Sequence, residues 1–239
     1  MFFEGSEKKL EIHVNHGINL LTLPHSVWHE LVSIAGAQIL SKISGPNATA
    51  FLLSESSLFV WQDRLILITC GQTTLADSLV FFMQQLGDSH IELVMYERKN
   101  EYFPHLQKSD FYSDVKKINS IIQGQAWRFG DVGDHHLFLF HSQKSFSPPA
   151  HDNTIEILMY RPQGFAKDLF NRKNLTKQEV QDAIGINKIF RDFQIDDYVF
   201  EPCGYSINGI NGKEYFTIHV TPQEYSSYVS FETNITRQQ

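Results

Sequence analysis

The pattern of apolar and polar positions divides the chain into short strand-like runs separated by helical ones. Residues 10–14 read as a strand, and Ser26 then stands as the N-cap of a helix burying Val27, Leu31, Ile34 and Ala35. Strands follow in quick succession at 50–53, 58–61 and 65–70, the last two joined as a hairpin by Gln62-Asp63. A helix over 74–86 ends at Gly87, a strand covers 91–96, and Ser109 or Asp110 caps a helix reaching Ile122. Strands at 127–129 and 137–141 precede the connector Ser147-Pro148-Pro149-Ala150. The remainder opens with a strand at 155–160 and continues with helices at 165–170 and 177–184, the second capped by Thr176. Strands at 198–200, 205–207, 215–220 and 228–231 complete the pattern. Close hairpins favour antiparallel pairing, so the expectation is an α+β fold with helices packed on antiparallel sheets.

Two features depart from a plain succession of elements. Between the apolar runs 52–53 and 58–60 lies Ser54-Glu55-Ser56-Ser57, a polar knot where a turn ordinarily carries Gly, Pro, Asn or Asp. There is also an internal echo. Segments 56–71 and 206–222 each run from a polar start through a short hairpin to an apolar strand ending in a reactive side chain, Cys70 in the first and His219 in the second. The first copy is followed by a helix and a strand, and the second stops at Gln239, so the second half is expected to be the shorter.

Composition narrows the class. At 239 residues, 42% hydrophobic and 20% charged, the chain suits a globular protein with a sizeable core. A net charge of −7 with scattered Lys and Arg argues against a nucleic-acid partner. No apolar run reaches the roughly 18–20 residues that span a bilayer, and the first residues do not resemble a signal peptide. Two cysteines, Cys70 and Cys203, give no disulfide framework, and the expectation is a reducing, cytoplasmic setting.

The candidate chemistry is sparse by pattern alone. Ser56 sits in the knot, Cys70 and His219 stand at strand ends, Glu4 and Glu7 follow Phe2-Phe3, and Ser206 closes the bent run Pro202-Cys203-Gly204-Tyr205. Each has a bland alternative: a small buried thiol, a hydrogen-bonded core imidazole, a solvated pair of acids. There is no nucleophile elbow, no phosphate-cradling glycine loop, and no metal-ligand spacing around His135, His136 and His141, so no metal is expected. These residues alone imply no more than a soluble α+β protein.

Ordered motifs carry the reading further. Phe2-Phe3-Glu4-Gly5-Ser6-Glu7-Lys8 with Leu10-Glu11 opens the set, and the knot itself, Leu53 to Val60, is the second. Thr69-Cys70-Gly71, Tyr96-x-Arg98-Lys99-Asn100, Thr154-Ile155-Glu156-Ile157-Leu158-Met159 and Pro202-Cys203-Gly204-Tyr205-Ser206-Ile207-Asn208-Gly209 follow in order. Thr217-Ile218-His219-Val220-Thr221-Pro222 and the run from Ser227 to Asn234 complete it. By these motifs, from residue 2 to residue 234, the chain resembles the eukaryotic-type S-adenosylmethionine decarboxylase proenzymes.

The resemblance implies a single domain over 1–239, built by internal duplication as a four-layer α/β-β/α sandwich of two antiparallel sheets with helices outside. It implies self-cleavage between Glu55 and Ser56, giving a β chain (1–55) and an α chain (56–239) headed by a pyruvoyl group formed from Ser56. That ketone would form a Schiff base with S-adenosylmethionine and release CO2, yielding the aminopropyl donor for spermidine and spermine. By resemblance His219 is the base for the α-proton of Ser56, Ser206 holds the processing intermediate, and Cys70 returns a proton to the product. Glu4 and Glu7 match active-site carboxylates, Phe3 and Phe200 an adenine-stacking pair, and Leu53 and Gln223 further substrate-binding positions. Glu11, Asp152, Thr154, Glu156 and Glu232 match an acidic cluster that takes putrescine as an activator in animal members. The resemblance leaves a homodimer open as an assembly.

Several positions depart from the family pattern. Gln223 replaces a ribose-binding glutamate, Ile68 replaces a lysine two residues before the cysteine, and Gln72 is an insertion after Cys70-Gly71. The chain also stops where typical members continue for a further helix and strands. Two other readings stay open. One is a catalytically weak regulatory homologue of an active decarboxylase, against which the intact Ser56 argues. The other is a pyruvoyl decarboxylase acting on another amino acid, against which the pair Phe3 and Phe200 argues.

Overall fold

The computed structural model describes residues 7–131, 133–149, 152–222 and 227–235. The first part of the chain runs β1 (Glu7–Val14), α1 (His25–Ala35), β2 (Ile39–Ser44), β3 (Ala48–Leu53), β4 (Ser56–Trp61), β5 (Arg64–Thr69), α2 (Leu75–Leu86) and β6 (Ile91–Lys99). It continues with α3 (Phe111–Asn119), β7 (Gly124–Gly130) and β8 (His136–Ser142). The rest is β9 (Ile155–Tyr160), α4 (Phe165–Phe170), α5 (Lys177–Ile184), α6 (Ile186–Ile189), β10 (Gln194–Val199), β11 (Tyr205–Asn211), β12 (Glu214–Thr221) and β13 (Tyr228–Thr233). The described strands form two sheets, ordered β2-β3-β4-β5-β1-β6-β8-β7 and β10-β11-β12-β13-β9. The α+β class with two antiparallel sheets is therefore observed, and the second sheet is the smaller. The chain divides into two compact units, Met1–Leu40 with Leu53–Ser147, and Ser41–Leu52 with Pro148–Gln239.

In the first unit the helical face of the sheet is apolar for a plain reason. Leu10 and Ile12 alternate on β1 and lie across from Leu67 and Leu65 on β5, all four fully buried. Helix α2 buries Leu75, Leu79 and Phe82, and α1 packs beside it through Trp28, Leu31, Val32 and Ala35. That stripe has the i, i+3, i+4, i+7 spacing of one helix face. The expected start of α1 is corrected: Pro24 precedes its first residue, Ser26 makes no cap, and Trp28 and Val32 replace Val27 and Ile34 as buried anchors. Helix α3 is capped by Asp110, whose side chain accepts from Ser113 N–H at 2.8 Å, and it ends at Asn119, short of Ile122.

In the second unit α4, α5 and α6 cover one face of the smaller sheet. Leu169, Phe170, Val180 and Ile186 pack there with Tyr205, Ile207, Phe216 and Val220. Thr176 caps α5 as expected, in a reciprocal box with Glu179. Because side chains alternate along β11 and β12, packing these apolar residues on the helices turns Ser206, Asn208, Thr217 and His219 to the opposite face. Both halves of the internal echo are hairpins: β4–β5 across Gln62-Asp63 and β11–β12 across Gly212-Lys213.

Candidate functional site

The polar knot is a two-residue turn, Ser54-Glu55, between β3 and β4. Ser54 is tied on both sides to Gln38: its N–H donates to the Gln38 carbonyl at 2.9 Å, and its hydroxyl accepts from the Gln38 N–H at 3.0 Å. The strain falls one residue later. Ser56 has φ = 133°, a region that a residue with a Cβ occupies at a cost of about 1–3 kcal/mol. Its side chain is buried, and its hydroxyl points at the Cys70 thiol, 3.9 Å away.

The carbonyl before Ser56 is held in turn by Cys70. The Glu55 carbonyl oxygen accepts the Cys70 N–H at 3.0 Å and faces its Sγ at 3.5 Å. Cys70 can do both because it leaves β5 just after Thr69, the residue paired with Ser56. The turn beyond it is fixed from below. Lys8 Nζ donates to the Gly71 carbonyl at 2.6 Å and to Gln107 Oε1 at 2.7 Å, and Gln72 donates to the Leu106 carbonyl at 3.0 Å. Gln72 thus serves as a second tether. Burial, with repulsion from Arg98 added, brings the Lys8 ammonium down to about 7. Arg98 is itself fully buried, paired with Glu101 and, at 2.9 Å, with Asp114.

The other face of β1 carries charge. Glu7, Lys9, Glu11 and His13 alternate on the strand and so share that face; all four are buried. Lys9 lies directly across from Glu97 on one side and from Ile68 on the other. A cation thus stands directly across from Ile68 on the neighbouring strand. Glu7 lies across from Lys99, with 3.7 Å between carboxylate and ammonium. Burial alone would raise the Glu11 carboxyl, but its 2.8 Å hydrogen bond to His13 and the charge of Lys9 hold it below its ordinary value.

In the second unit Ser206 and His219 are direct cross-strand partners, as are Asn208 and Thr217. Ser206 Oγ lies 2.9 Å from His219 Nδ1, and Thr217 Oγ1 lies 2.8 Å from His219 Nε2. Thr217 donates to Asn208 Oδ1 at 3.0 Å, and Asn208 donates to the Phe51 carbonyl at 3.2 Å. Burial drives the His219 pKa down to about 3, so the ring is neutral at physiological pH. Glu232 and Glu156 are cross-strand partners, and Glu232 accepts from the Tyr215 hydroxyl at 2.5 Å. Thr154 is exposed, and Asp152 is half-buried just before β9. Phe200 is half-buried at the end of β10, 4.9 Å from the Tyr198 ring. Leu53 is fully buried at the end of β3.

Within one unit, then, the structure brings together Glu55, Ser56 and Cys70, and within the other Ser206 and His219. Phe3, Glu4 and Gln223 lie outside the described residues. His136 has a structural part, accepting the Glu101 N–H at 2.9 Å. Lys8, Asn208 and Thr217 were not singled out by the sequence. For the last two a signal existed, since each lies two residues along a strand from a candidate and therefore on the same face.

The family model described as adenosylmethionine decarboxylase matches residues 1–239. The S-adenosylmethionine decarboxylase proenzyme of Trypanosoma cruzi is 36% identical, over 97% of this chain and 68% of that protein. The proenzyme of Drosophila melanogaster is 36% identical, over 98% of this chain and 75% of its own length. Among solved structures, the Trypanosoma brucei AdoMetDC-delta26 monomer superposes with a TM-score of 0.56 at 31% identity, covering 75% of this chain and 69% of that one.

Proposed function

The chain belongs to the adenosylmethionine decarboxylase family, and from this we propose that it is a self-processing enzyme converting S-adenosylmethionine to its decarboxylated form and CO2, for spermidine and spermine synthesis. The observation that carries the reading is the Glu55–Ser56 junction, where a strained serine follows a carbonyl already held by two donors of Cys70.

The junction is arranged for an acyl shift. The Ser56 hydroxyl attacks the Glu55 carbonyl carbon, a C–O bond replaces the C–N bond, and the amide nitrogen becomes the free amine of Ser56. Negative charge develops on the Glu55 oxygen, where the Cys70 N–H and thiol already point, so little reorganisation is needed. Breaking the peptide bond also releases the strain at Ser56. His219, neutral and therefore able to accept a proton, takes the α-proton of Ser56 with Ser206 at its side. Glu55 leaves as a carboxylate, and the dehydroalanine left behind gains water and loses ammonia to become the pyruvoyl group. The products of this reading are a β chain, 1–55, and an α chain, 56–239.

The residues present fit such a group: a buried serine, a carbonyl met by donors, and a thiol beside them. A pyruvoyl group supplies a carbonyl that draws in the electrons released when an α-amino acid loses CO2. Around it Cys70 is the proton donor to the product α-carbon, and Phe3 and Phe200 take the adenine. Glu4, Glu7, Leu53 and Gln223 are assigned to the substrate by the family pattern alone. A diamine activator is assigned to Glu11, Asp152, Thr154, Glu156 and Glu232. Release of CO2 from carboxyl-labelled S-adenosylmethionine by the purified protein, and none by Ser56→Ala, is the expected result. A fully cleaved protein that releases no CO2 from this substrate would defeat the reading.

A further inference from the structure

Four buried side chains on one face of the β11–β12 hairpin form a hydrogen-bonded series whose direction can be read from one end. That end is the Phe51 backbone carbonyl, which can only accept. Asn208 must therefore present its NH2 group to Phe51 at 3.2 Å, which turns its Oδ1 toward Thr217. Oδ1 accepts the Thr217 hydroxyl at 3.0 Å. A hydroxyl has one proton, and that of Thr217 is now committed, so its oxygen can only accept from His219 Nε2 at 2.8 Å. The ring proton of a neutral imidazole therefore sits on Nε2. Nδ1 is left bare and receives the Ser206 hydroxyl at 2.9 Å. Reversing the series would set the Asn208 and Phe51 oxygens against each other in a buried place, where unmatched polar groups are costly.

We propose that Thr217 and Asn208 are positioning residues that fix His219 with its proton on Nε2 and present Nδ1 as the base. The role follows from register: Asn208 lies across from Thr217, and Ser206 across from His219, so two adjacent cross-strand pairs build the whole series. This rests on the reading of His219 as the base in self-cleavage, although the tautomer itself does not.

The test uses the full chain with 15N-labelled histidine, held uncleaved by Ser56→Ala, with the His219 signals assigned by their loss in His219→Gln. The expected spectrum has an imine-type Nδ1 and a pyrrole-type Nε2; the opposite assignment would overturn the proposal. In cleaving chains, Thr217→Val should slow self-cleavage about a hundredfold, the scale of a misplaced general base, and Thr217→Ser should restore it. Asn208→Leu frees the Thr217 proton, so both tautomers should then coexist, and an unchanged spectrum would remove Asn208 from the series. Thr217→Val at the wild-type rate would overturn the role of Thr217. If that variant does not fold, the spectrum of the Ser56→Ala chain and the cleavage rate of Thr217→Ser decide the matter. A wild-type chain that never cleaves would defeat the reading of His219 as base, while the spectrum would still decide the tautomer.

Discussion

A buried neutral histidine should make the uncleaved protein sensitive to mild acid. The perturbation is a drop from pH 7.5 to 5.5, applied to the Ser56→Ala chain with and without His219→Gln. The unfolded chain takes up a proton on His219 below about pH 6.5, whereas the folded chain refuses it until about pH 3. The unfolded state therefore binds more protons throughout that window, and stability is lost as pH falls through it. With a full proton difference the slope is about 1.4 kcal/mol per pH unit, and the integrated loss from pH 7.5 to 5.5 is about 1.4 kcal/mol. Because pH 5.5 lies well above the folded value, this loss is set almost entirely by the unfolded pKa. Urea unfolding followed by tryptophan fluorescence at the two pH values measures it, and the contributions of the other histidines cancel between the two proteins. Ser56→Ala should lose about 1.4 kcal/mol more than the double variant. Equal losses would refute the claim that His219 is neutral by burial.

Three further outcomes are expected. Ser56→Gly, which adopts φ = 133° freely, should leave an uncleaved chain about 1 kcal/mol more stable than Ser56→Ala in urea, and equal stability would mean that the junction stores no strain. Cys70→Ala keeps the backbone N–H on Glu55 and should still cleave, yet turn over at least about tenfold more slowly; normal turnover would remove the thiol from catalysis. Lys8→Met frees the turn after Cys70 and should slow self-cleavage about tenfold, measured on gels against time, whereas an unchanged rate would reduce Lys8 to a packing residue.

The elements most legible in the sequence are those with a single unambiguous period and a chemical stop. Helix α2 runs from Thr74 to Gly87 almost as read, and α5 keeps its Thr176 cap. Strand β2 is not legible in the sequence because its apolar residues Ile39, Leu40 and Ile43 fall on both faces and none is fully buried. Helix α1 starts at His25, just after Pro24, so the serine at 26 that sequence reasoning favours as a cap falls inside the helix. At the site, the reactive types were legible by motif: Ser56, Cys70, Ser206 and His219. What lay beyond reach was the partnership that tertiary structure decides. Lysine and arginine ordinarily stay at the surface, yet Lys8 and Arg98 are fully buried, which no local pattern announces. Thr217 and Asn208 stand within quoted motifs, but only the fold brings them together across the strands and sets the Phe51 carbonyl against Asn208, which gives their hydrogen bonds a direction.

The central claim, that the chain cuts itself at Glu55–Ser56 and makes its own reactive group there, is tested most directly by intact-mass measurement of the purified wild-type protein. Two chains are expected, 1–55 and 56–239, whose masses sum to the full chain plus one water less one ammonia, and a single uncut chain for Ser56→Ala. An uncut wild-type chain, or fragments summing to the chain plus water with no ammonia lost, would contradict it.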